Sequence, residues 1–273
     1  SSSHWRHNVK DFAESGFCVY GLDLIGFGQS EQPSTTKIRS LDNEFWAKQL
    51  ISFLETIVLT NKFRKAILVG NSLGGLVALT AIARREDLIR TVIAAPLPDP
   101  ALVRKPGKFQ SKIISIIKTA LVKIFFRILP LEIIVPLIAR TKLIKIFLGF
   151  AYSQNISSDR ELEKIIRGPA KKSTAARALR AMCIGMTIRP IYSTAPELLK
   201  RLTNKSQKPK ILLIWGREDK LVPLSIGKNL LEEHPWLKLL IVDNSGHCPH
   251  DESPNYFNQS VLNWLEFNLK ANS

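Results

Sequence analysis

The sequence predicts an α/β fold, in which a mostly parallel sheet carries helices on both faces and the chain contains one helical insertion. Two observations support this prediction: short apolar runs typical of buried strands, and segments of helical periodicity between them. Sheets built by such alternation are parallel and covered on both sides. The length of 273 residues fits one domain of this kind plus an insertion. The predicted strands are residues 17–24, 65–70, 91–95, 211–215 and 237–242.

The predicted helices lie between and around these strands. Trp5, Val9 and Phe12 are spaced as on one face of a first helix. Another helix is predicted directly after Ser72, where a run of apolar residues follows two glycines. The remaining helices of the core are predicted at residues 41–58, 224–234 and 256–269.

A helical insertion interrupts the alternation of strands and helices. From Pro96 to about Thr194 the strand pattern stops and helical periodicity takes over, with prolines at positions 130 and 136. We call this insertion the lid. The chain therefore divides into an N-terminal part of the core, the lid and a C-terminal part of the core, at residues 1–96, 97–194 and 195–273.

The lid is rich in basic and bulky aliphatic residues. Residues 101–150 contain ten Lys or Arg and a single acid, Glu132. Basic residues interspersed with aliphatics suit peripheral contact of a helix with an anionic membrane surface. The alternative is a core-facing lid with a solvated basic face, although the apolar residues outnumber those that one narrow helical stripe uses. No run reaches about 18 uninterrupted apolar residues, so no membrane-spanning helix is predicted.

Residues 70–75, Gly-Asn-Ser-Leu-Gly-Gly, are the most informative motif of the chain. They follow a predicted strand and precede a predicted helix, which is the context of a nucleophile elbow presenting Ser72. The flanking glycines keep side chains out of the turn, and the amide of Leu73 at the helix N-terminus becomes an oxyanion-hole donor. The alternative is a Gly-rich turn in an ordinary strand–helix unit, since so short a pattern also occurs by accident.

An acid and a histidine follow in the chain order that this elbow requires. Asp219 and His247 each come shortly after a predicted strand. Loops at the carboxyl ends of parallel strands meet at one edge of the sheet, so these residues and Ser72 are expected to converge. His247 would take the proton of the Ser72 hydroxyl, and Asp219 would orient the imidazole and stabilise its charged form.

Four stretches in the expected order make the chain resemble proteins of the α/β-hydrolase fold. They are residues 23–30, 70–75, 216–223 and 245–247. The resemblance implies that fold, a serine nucleophile, and a lid that excludes water and shapes the acyl or alcohol pocket. The pattern G-x-x-D-x-x-V-P of this family selects Asp219 over the adjacent Glu218, which we interpret as a solvated turn residue.

Finer similarities point in two directions within that family. His4-Trp5-Arg6 together with residues 22–28 and 70–72 is similar to hydrolases of cyanobacteria and plastids, some of which resemble pheophytinases and chlorophyll dephytylases that cleave the phytyl ester. The Gly-Asn-Ser core is also similar to that of carbon–carbon bond hydrolases of aromatic ring degradation. Serine at position 72 argues against haloalkane dehalogenases and epoxide hydrolases, whose nucleophile is a carboxylate.

The start of the chain departs from the pattern of this family. Proteins of this fold normally begin with a strand hairpin, a further strand and a His-Gly-type loop whose amide is the second oxyanion-hole donor. None of these elements precedes the stretch around Trp5, so we expect an N-terminally incomplete sequence with the first strands missing. Leu73 would then be the remaining donor, and loss of one donor typically lowers turnover by roughly 100- to 1,000-fold.

The net charge and the cysteine content indicate which binding partners and which cellular compartment to expect. The formal net charge of +16 attracts phosphates non-specifically, but no zinc-finger spacing, RNA-binding aromatic motif or basic heptad pattern accompanies it. We therefore predict no specific nucleic-acid partner. Three widely spaced cysteines resemble neither a disulfide framework nor a metal site, and they favour a reducing compartment. Together with the resemblance to plastid hydrolases and the basic lid, this leads us to expect the cytoplasm or the plastid stroma with membrane association.

The other cysteines and histidines are assigned structural roles. Cys18 alternates within a predicted strand and is expected in the core, and Cys248 is expected to be a small packed side chain, with a place in the pocket as the alternative. His4, His7 and His250 show no paired metal-ligand spacing, and we interpret them as surface or capping residues.

The sequence thus predicts an enzyme, a serine hydrolase that cleaves an ester of a small hydrophobic substrate through an acyl-enzyme. This chemistry requires no metal and no organic cofactor. A carbon–carbon bond hydrolase of the same fold and a non-catalytic member that binds an apolar ligand are the alternatives.

Overall fold

The computed structural model describes residues 1–33, 41–59, 64–103, 112–156 and 158–270. In this part of the chain, four parallel strands form one sheet in the order β1-β2-β3-β4. Each of these strands overlaps an apolar run that predicts it, and the predicted parallel sheet is confirmed. The strands are β1 (Ala66–Asn71), β2 (Ile89–Ala95), β3 (Lys210–Gly216) and β4 (Lys238–Val242).

The helices account for most of the remaining described residues. A π-helical turn, Leu54–Val58, continues the second helix. No helix in the described ranges is both long and apolar enough to cross a bilayer. The α-helices of those ranges are α1 (Val9–Glu14), α2 (Asn43–Phe53), α3 (Leu73–Arg84), α4 (Lys112–Ile128), α5 (Leu131–Arg140), α6 (Leu143–Ala151), α7 (Arg160–Ala170), α8 (Ala175–Ile188), α9 (Ala195–Thr203), α10 (Leu224–Glu233), α11 (Pro249–Glu252) and α12 (Pro254–Lys270).

Helices cover both faces of the sheet. Successive residues of a strand point to opposite faces, so each strand contributes to two cores. Val92 and Leu213 pack with residues of α2, α3 and α9. Ile93 and Leu212 pack on the other face with residues of α1 and α12. This arrangement confirms the predicted covering of both faces and explains why the strands read as continuous apolar runs.

Residues 17–24 are not a strand, and that part of the prediction is wrong. They have no sheet pairing, although Phe17 and Val19 still pack against the core on the α12 face. A strand is stabilised by its ladder, and within the described residues β1 pairs with β2 alone, so no ladder reaches this segment. The alternation of apolar residues correctly predicted that Phe17 and Val19 face the core, but it could not predict whether the segment pairs with a strand.

Five helices, α4 to α8, occupy the part of the chain predicted to be the lid, between β2 and β3. Residues 104–111 and 157 of that predicted segment lie outside the described residues. Buried Asp99 joins the two ends of the insertion: Oδ2 accepts a hydrogen bond from the Ala195 N–H at 2.7 Å, and Oδ1 forms an ion pair with Arg189 at 2.6 Å. The two ends of the predicted lid are therefore held together by hydrogen bonds and an ion pair where the chain leaves and re-enters the core.

Candidate active site

Ser72 lies in the turn between β1 and α3 with a backbone that non-glycine residues rarely adopt. Its φ is 51° and its ψ is −120°, and such a conformation costs about 1 to 3 kcal/mol and persists only where the surroundings impose it. The Ser72 N–H donates to the carbonyl of Ala95 on β2 at 3.0 Å, and the N–H groups of Gly75 and Leu76 donate to the Ser72 carbonyl. The strand ends and the first turn of α3 thus hold the serine in place.

Close packing explains two of the three glycines in this turn. A Cβ at position 70 would lie 2.3 Å from the carbonyl carbon of Gly74, and a Cβ at position 75 would lie 3.0 Å from the Cβ of Ala94. A Cβ at position 74 would meet no atom within 4 Å. The prediction that glycines clear the turn therefore holds for Gly70 and Gly75 and not for Gly74.

Leu73 is the first residue of α3, directly after Ser72. Its N–H belongs to the first-turn amides, which have no partner within an α-helix and lie at the positive end of the helix dipole. Its side chain packs with Leu41, Trp46 and Val77. The structure therefore holds the predicted oxyanion-hole donor rigidly beside the serine.

The structure brings Ser72, His247 and Asp219 into one hydrogen-bonded line. His247 Nε2 lies 2.8 Å from Ser72 Oγ, and His247 Nδ1 lies 2.9 Å from Asp219 Oδ2. Asp219 and His247 are buried, whereas Ser72 is partly exposed. Because the carboxylate accepts a hydrogen bond from Nδ1–H, Nε2 is left as the acceptor for the serine hydroxyl.

Asp219 is oriented by the turn that carries it. Its Oδ1 accepts hydrogen bonds from the N–H groups of Leu221 and Val222, at 2.8 and 2.9 Å, while Oδ2 faces the imidazole. Glu218 is exposed, as predicted, but its carboxylate also accepts the N–H of Ser245 at 2.9 Å. The two neighbouring carboxylates thus have different partners: that of Glu218 connects two loops, and that of Asp219 faces the imidazole of His247.

Asn71 has a positioning role that the sequence analysis missed. Its side-chain N–H₂ donates to the carbonyl of His247 at 2.9 Å and to the carbonyl of Ala95. It therefore connects residues 243–248, the loop between β4 and α11 that we call the histidine loop, to the ends of β1 and β2. The one available signal was an amide residue directly before the predicted nucleophile, and nothing in its spacing names these partners.

Glu252 organises the histidine loop from the other side and was also missed. Its carboxylate is largely buried and accepts the N–H of Gly246 at 2.8 Å, that of Ser153 at 2.7 Å and the Ser153 hydroxyl at 2.8 Å. In addition, the His247 N–H donates to the carbonyl of Ala151 at 2.7 Å. The loop that presents the imidazole is therefore bonded to the end of α6 and the residues after it.

Exchange of Glu252 for glutamine is expected to lower the free energy of unfolding by about 2 to 3 kcal/mol, because the new N–H₂ group would face backbone donors and leave one unpaired. Chemical denaturation measures this change. Glu232→Gln, at an exposed position of α10, is the matched control and should cost less than about 0.5 kcal/mol. Equal stability of the Glu252→Gln protein and the wild type would contradict this role.

The prediction that His250 is a surface or capping residue is wrong, whereas His4 is partly exposed and His7 is exposed. His250 is fully buried, with its ring centroid 4.3 Å from that of Trp5 and 4.8 Å from that of His4. Neither ring nitrogen of His250 has a hydrogen-bond partner within the described residues. His4 Nε2 lies 2.7 Å from the hydroxyl of Tyr152. Burial lowers the pKa of His250 well below its ordinary value of 6.5 and lowers the pKa of His4 to about 4.

His250→Phe is expected to weaken the pH dependence of stability. In the folded protein the buried ring stays neutral, whereas in the unfolded chain it binds a proton below about pH 6.5. The unfolded state then binds more protons, so stability falls as pH is lowered from 7 to 5. Removing this group should reduce that slope by about 1.4 kcal/mol per pH unit below 6.5.

Denaturation midpoints measured across this pH range test the prediction. Trp5→Phe is the control, because it changes the packing against the same ring without removing a titratable group, and it should leave the slope unchanged. His4 contributes in the same direction as His250, so part of the dependence should persist in His250→Phe. A His250→Phe protein with the wild-type slope would refute the assignment.

The cysteines divide between surface and interior. Cys18 is exposed, contrary to prediction, because residues 17–24 form no paired strand whose alternation would turn it inward. Cys248 is buried among residues of α6 and α7, and burial raises the pKa of its thiol. Its interpretation as a small packed side chain agrees with this environment.

An apolar cavity of about 220 Å³ lies between the core and the helical insertion. Ser72 and His247 do not line it, but Met182 does, and Met182 packs in the same cluster as Leu73. The cavity is therefore bordered by the same buried cluster against which Leu73 packs. Its lining includes Phe27, Leu41, Trp46, Val135, Leu179 and Met182.

Within the described ranges, no three His, Cys, Asp or Glu side chains are grouped so that they could hold a metal ion. The site itself presents a hydroxyl, an imidazole, a carboxylate and a helix amide. This set is suited to nucleophilic acyl transfer.

Comparison with known proteins agrees with the fold and the reaction class. Residues 1–254 match the family model described as "Serine aminopeptidase, S33". The chain is 27% identical over 266 residues to an uncharacterised hydrolase, YugF, of Bacillus subtilis, covering 97% of this chain and 86% of that protein. It is 24% identical to a 2-hydroxy-6-oxononadienedioate/2-hydroxy-6-oxononatrienedioate hydrolase of a Pseudomonas species, covering 96% of this chain and 82% of that protein.

A plant relative and a solved structure extend the comparison. The chain is 27% identical over 250 residues to chloroplastic pheophytinase of Arabidopsis thaliana, covering 88% of this chain and 48% of that protein. The structure of a thermophilic esterase from Thermogutta terrifontis superposes with a TM-score of 0.68 at 19% identity, covering 98% of this chain and 86% of that one. Because the family model matches residues 1–254 of the 273 residues, this chain is an enzyme of the α/β-hydrolase fold and belongs to the serine aminopeptidase-type hydrolase family.

Proposed function

We propose that this protein is a serine hydrolase that cleaves an ester of a hydrophobic substrate through an acyl-enzyme. The observation that carries the proposal is the line of hydrogen bonds from Ser72 Oγ through the His247 ring to Asp219 Oδ2, with distances of 2.8 and 2.9 Å. A nucleophile, its base and a group that orients the base within such distances are the signature of nucleophilic catalysis.

In the first half of the reaction, Ser72 Oγ attacks the ester carbonyl carbon while His247 Nε2 takes the hydroxyl proton. The negative charge that develops on the carbonyl oxygen is stabilised by the N–H of Leu73 and by the positive end of α3. Asp219 stabilises the imidazolium formed on His247. The imidazolium then gives its proton to the alcohol oxygen as the carbon–oxygen bond breaks, which leaves the acyl group on Ser72.

In the second half, water replaces the alcohol. His247 Nε2 takes a proton from the water as its oxygen attacks the acyl carbon, and it returns that proton to Ser72 Oγ as the acyl group departs. The products are one alcohol and one carboxylic acid, and the protein regains its starting protonation state. No metal or organic cofactor takes part in these steps.

The apolar cavity of about 220 Å³ supports a hydrophobic substrate. Leu41, Trp46 and Met182 line it and also belong to the cluster of apolar residues with which Leu73 packs. Helices α5, α7 and α8 of the lid contribute Val135, Ile166 and Met182 to its wall. The lid then acts as the cover that shapes the pocket and excludes water.

Two finer possibilities follow from the relatives. The similarity to pheophytinase favours a long isoprenoid ester as substrate. The similarity to 2-hydroxy-6-oxo-dienedioate hydrolases favours the alternative in which the same site cleaves a carbon–carbon bond. A member of the fold that binds an apolar ligand without catalysis would not need the hydrogen-bonded alignment of three separate loops, so we place it last.

The test combines a covalent probe with two kinds of substrate. A fluorophosphonate should label Ser72, located by peptide mass spectrometry, and p-nitrophenyl esters from acetate to dodecanoate should be hydrolysed. We expect kcat/KM to rise by up to about fourfold for each added methylene until the pocket is filled. Absence of both labelling and hydrolysis would refute the proposal. Cleavage of a 2-hydroxy-6-oxo-dienoate without cleavage of any ester would replace it with the carbon–carbon alternative.

A further inference from the structure

Three consecutive helices of the insertion present bulky apolar side chains to solvent. These side chains are between 38% and 75% exposed, although ordinary folding would bury residues of this kind. They lie on α4, α5 and α6 in chain order. They are Ile117, Leu121, Ile124, Phe125 and Ile128 on α4, Ile133 and Leu137 on α5, and Leu143, Ile146 and Phe150 on α6. We call them the exposed apolar surface.

The pattern on α4 makes this surface a defined helix face. Its five exposed residues follow the spacing i, i+4, i+7, i+8 and i+11, which places them in one stripe. A second apolar face of the same helix, with Val122 and Phe126, is partly buried where α4 packs on α8. The helix therefore has one apolar face for the fold and another that the fold does not use.

The segment that carries this surface is strongly basic, although Lys145 is ion-paired with Glu163 of α7 at 3.7 Å. From residue 112 to residue 151 the sequence has seven Lys or Arg and one acid, Glu132. The carboxylate of Glu132 is ion-paired with Arg180 of α8, which cancels its charge. Lys123 and Arg127 are exposed on α4, on one side of the stripe. The basic residues of the segment are Lys112, Lys118, Lys123, Arg127, Arg140, Lys142 and Lys145.

We infer that the exposed apolar surface docks on the face of an anionic lipid bilayer. Bulky aliphatic and aromatic side chains enter the boundary between headgroups and acyl chains, while flanking Lys and Arg extend toward the phosphates. Membrane binding by one signal alone is weak, and the combination of apolar insertion and basic charge stabilises it.

Two other occupants fit the surface less well. A second copy of the chain would bring one strongly basic face against another, whereas partners in a stable interface have complementary charge. A nucleic acid would use the positive charge but would leave the aliphatic stripe of α4 in water, since binding to phosphates buries little apolar area. An anionic bilayer satisfies both the charge and the apolar residues.

The position of α6 connects this surface with the candidate active site. Phe150 is exposed near the end of α6, and the carbonyl of the next residue, Ala151, accepts the N–H of His247. Docking would therefore hold the site close to the lipid, where hydrophobic esters dissolve. The docking itself requires no catalysis, so its test is independent of the proposed reaction.

Vesicle flotation of the purified protein tests the inference. The protein should float with vesicles of phosphatidylcholine and phosphatidylserine, and binding should weaken with added salt and with phosphatidylcholine alone. A protein with Leu121→Ser and Phe125→Ser should bind the anionic vesicles about tenfold or more weakly. A protein with Lys123→Gln and Arg127→Gln should show a loss of similar size.

Matched controls remove the same kinds of side chain elsewhere. Phe267 is 78% exposed on α12 and Lys228 is exposed on α10, so Phe267→Ser and Lys228→Gln should bind as the wild type does. Failure of the wild type to float with anionic vesicles would overturn the inference. So would undiminished binding by the Leu121→Ser, Phe125→Ser protein, or a stable dimer in sedimentation that dissociates on those substitutions.

Discussion

Replacement of Ser72 by alanine is expected to lower ester hydrolysis by about 10⁴-fold or more, because the nucleophile is lost and only binding and the helix amide remain. Labelling by a fluorophosphonate should disappear with it. The substitution removes one oxygen that bonds to His247 and leaves the turn backbone unchanged, so the thermal unfolding temperature should stay close to that of the wild type. Rates with the p-nitrophenyl ester panel and intact-mass analysis after labelling measure both effects.

A serine outside the site provides the control for this substitution. Ser15 is exposed at the end of α1, where its hydroxyl donates to the carbonyl of Asp11. Ser15→Ala should retain the wild-type rate and the label. Persistence of labelling and hydrolysis in the Ser72→Ala protein would show that another nucleophile acts, and the proposed mechanism would be wrong.

Asp219→Asn is expected to reduce kcat by about 10⁴-fold while leaving the fold intact. The amide oxygen can still accept the N–H groups of Leu221 and Val222, so the turn should keep its shape. The amide nitrogen would face His247 Nδ1 as a donor, which favours the tautomer with the proton on Nε2. The serine hydroxyl would then have no acceptor for its proton.

Glu218→Gln is the control for Asp219→Asn, because it removes one carboxylate charge from the adjacent position. A loss of activity seen in Asp219→Asn alone depends on the position of the carboxylate and not only on its charge. Glu218 is exposed and its carboxylate accepts the N–H of Ser245 rather than the imidazole. We expect this variant to retain activity within a few-fold of the wild type. Steady-state kinetics and far-ultraviolet circular dichroism of both variants make the comparison. A larger loss of activity in Glu218→Gln than in Asp219→Asn would show that Glu218, and not Asp219, is the acid of the site.

The parts of the site that could be predicted are those determined by chain order and by strand ends. Ser72, Asp219 and His247 each follow a strand of a parallel sheet, and the carboxyl ends of such strands meet at one edge. Each strand of that sheet is a short apolar run, and helices cover both faces of the sheet. Local pattern and one topological rule therefore predicted that the three loops converge, and the resemblance to the α/β-hydrolase fold selected Asp219 over Glu218.

The parts that could not be predicted depend on partners that no local pattern names. His250 is fully buried because Trp5, at the other end of the sequence, packs against its ring. Glu252 has the composition of a surface residue, yet its carboxylate accepts backbone N–H groups from two separate loops. Residues 17–24 alternate like a strand, and only the absence of a ladder in the described sheet distinguishes them from one.

The bond between the His247 N–H and the carbonyl of Ala151 has a consequence for how substrates enter. Glu252 adds a second attachment, because its carboxylate accepts the N–H and the hydroxyl of Ser153. Any opening motion that carries residues 151–153 away from the sheet must break these bonds and release the histidine loop. A motion of that kind would open the site and displace the imidazole together, so substrate entry by that route and proton transfer from Ser72 would exclude each other.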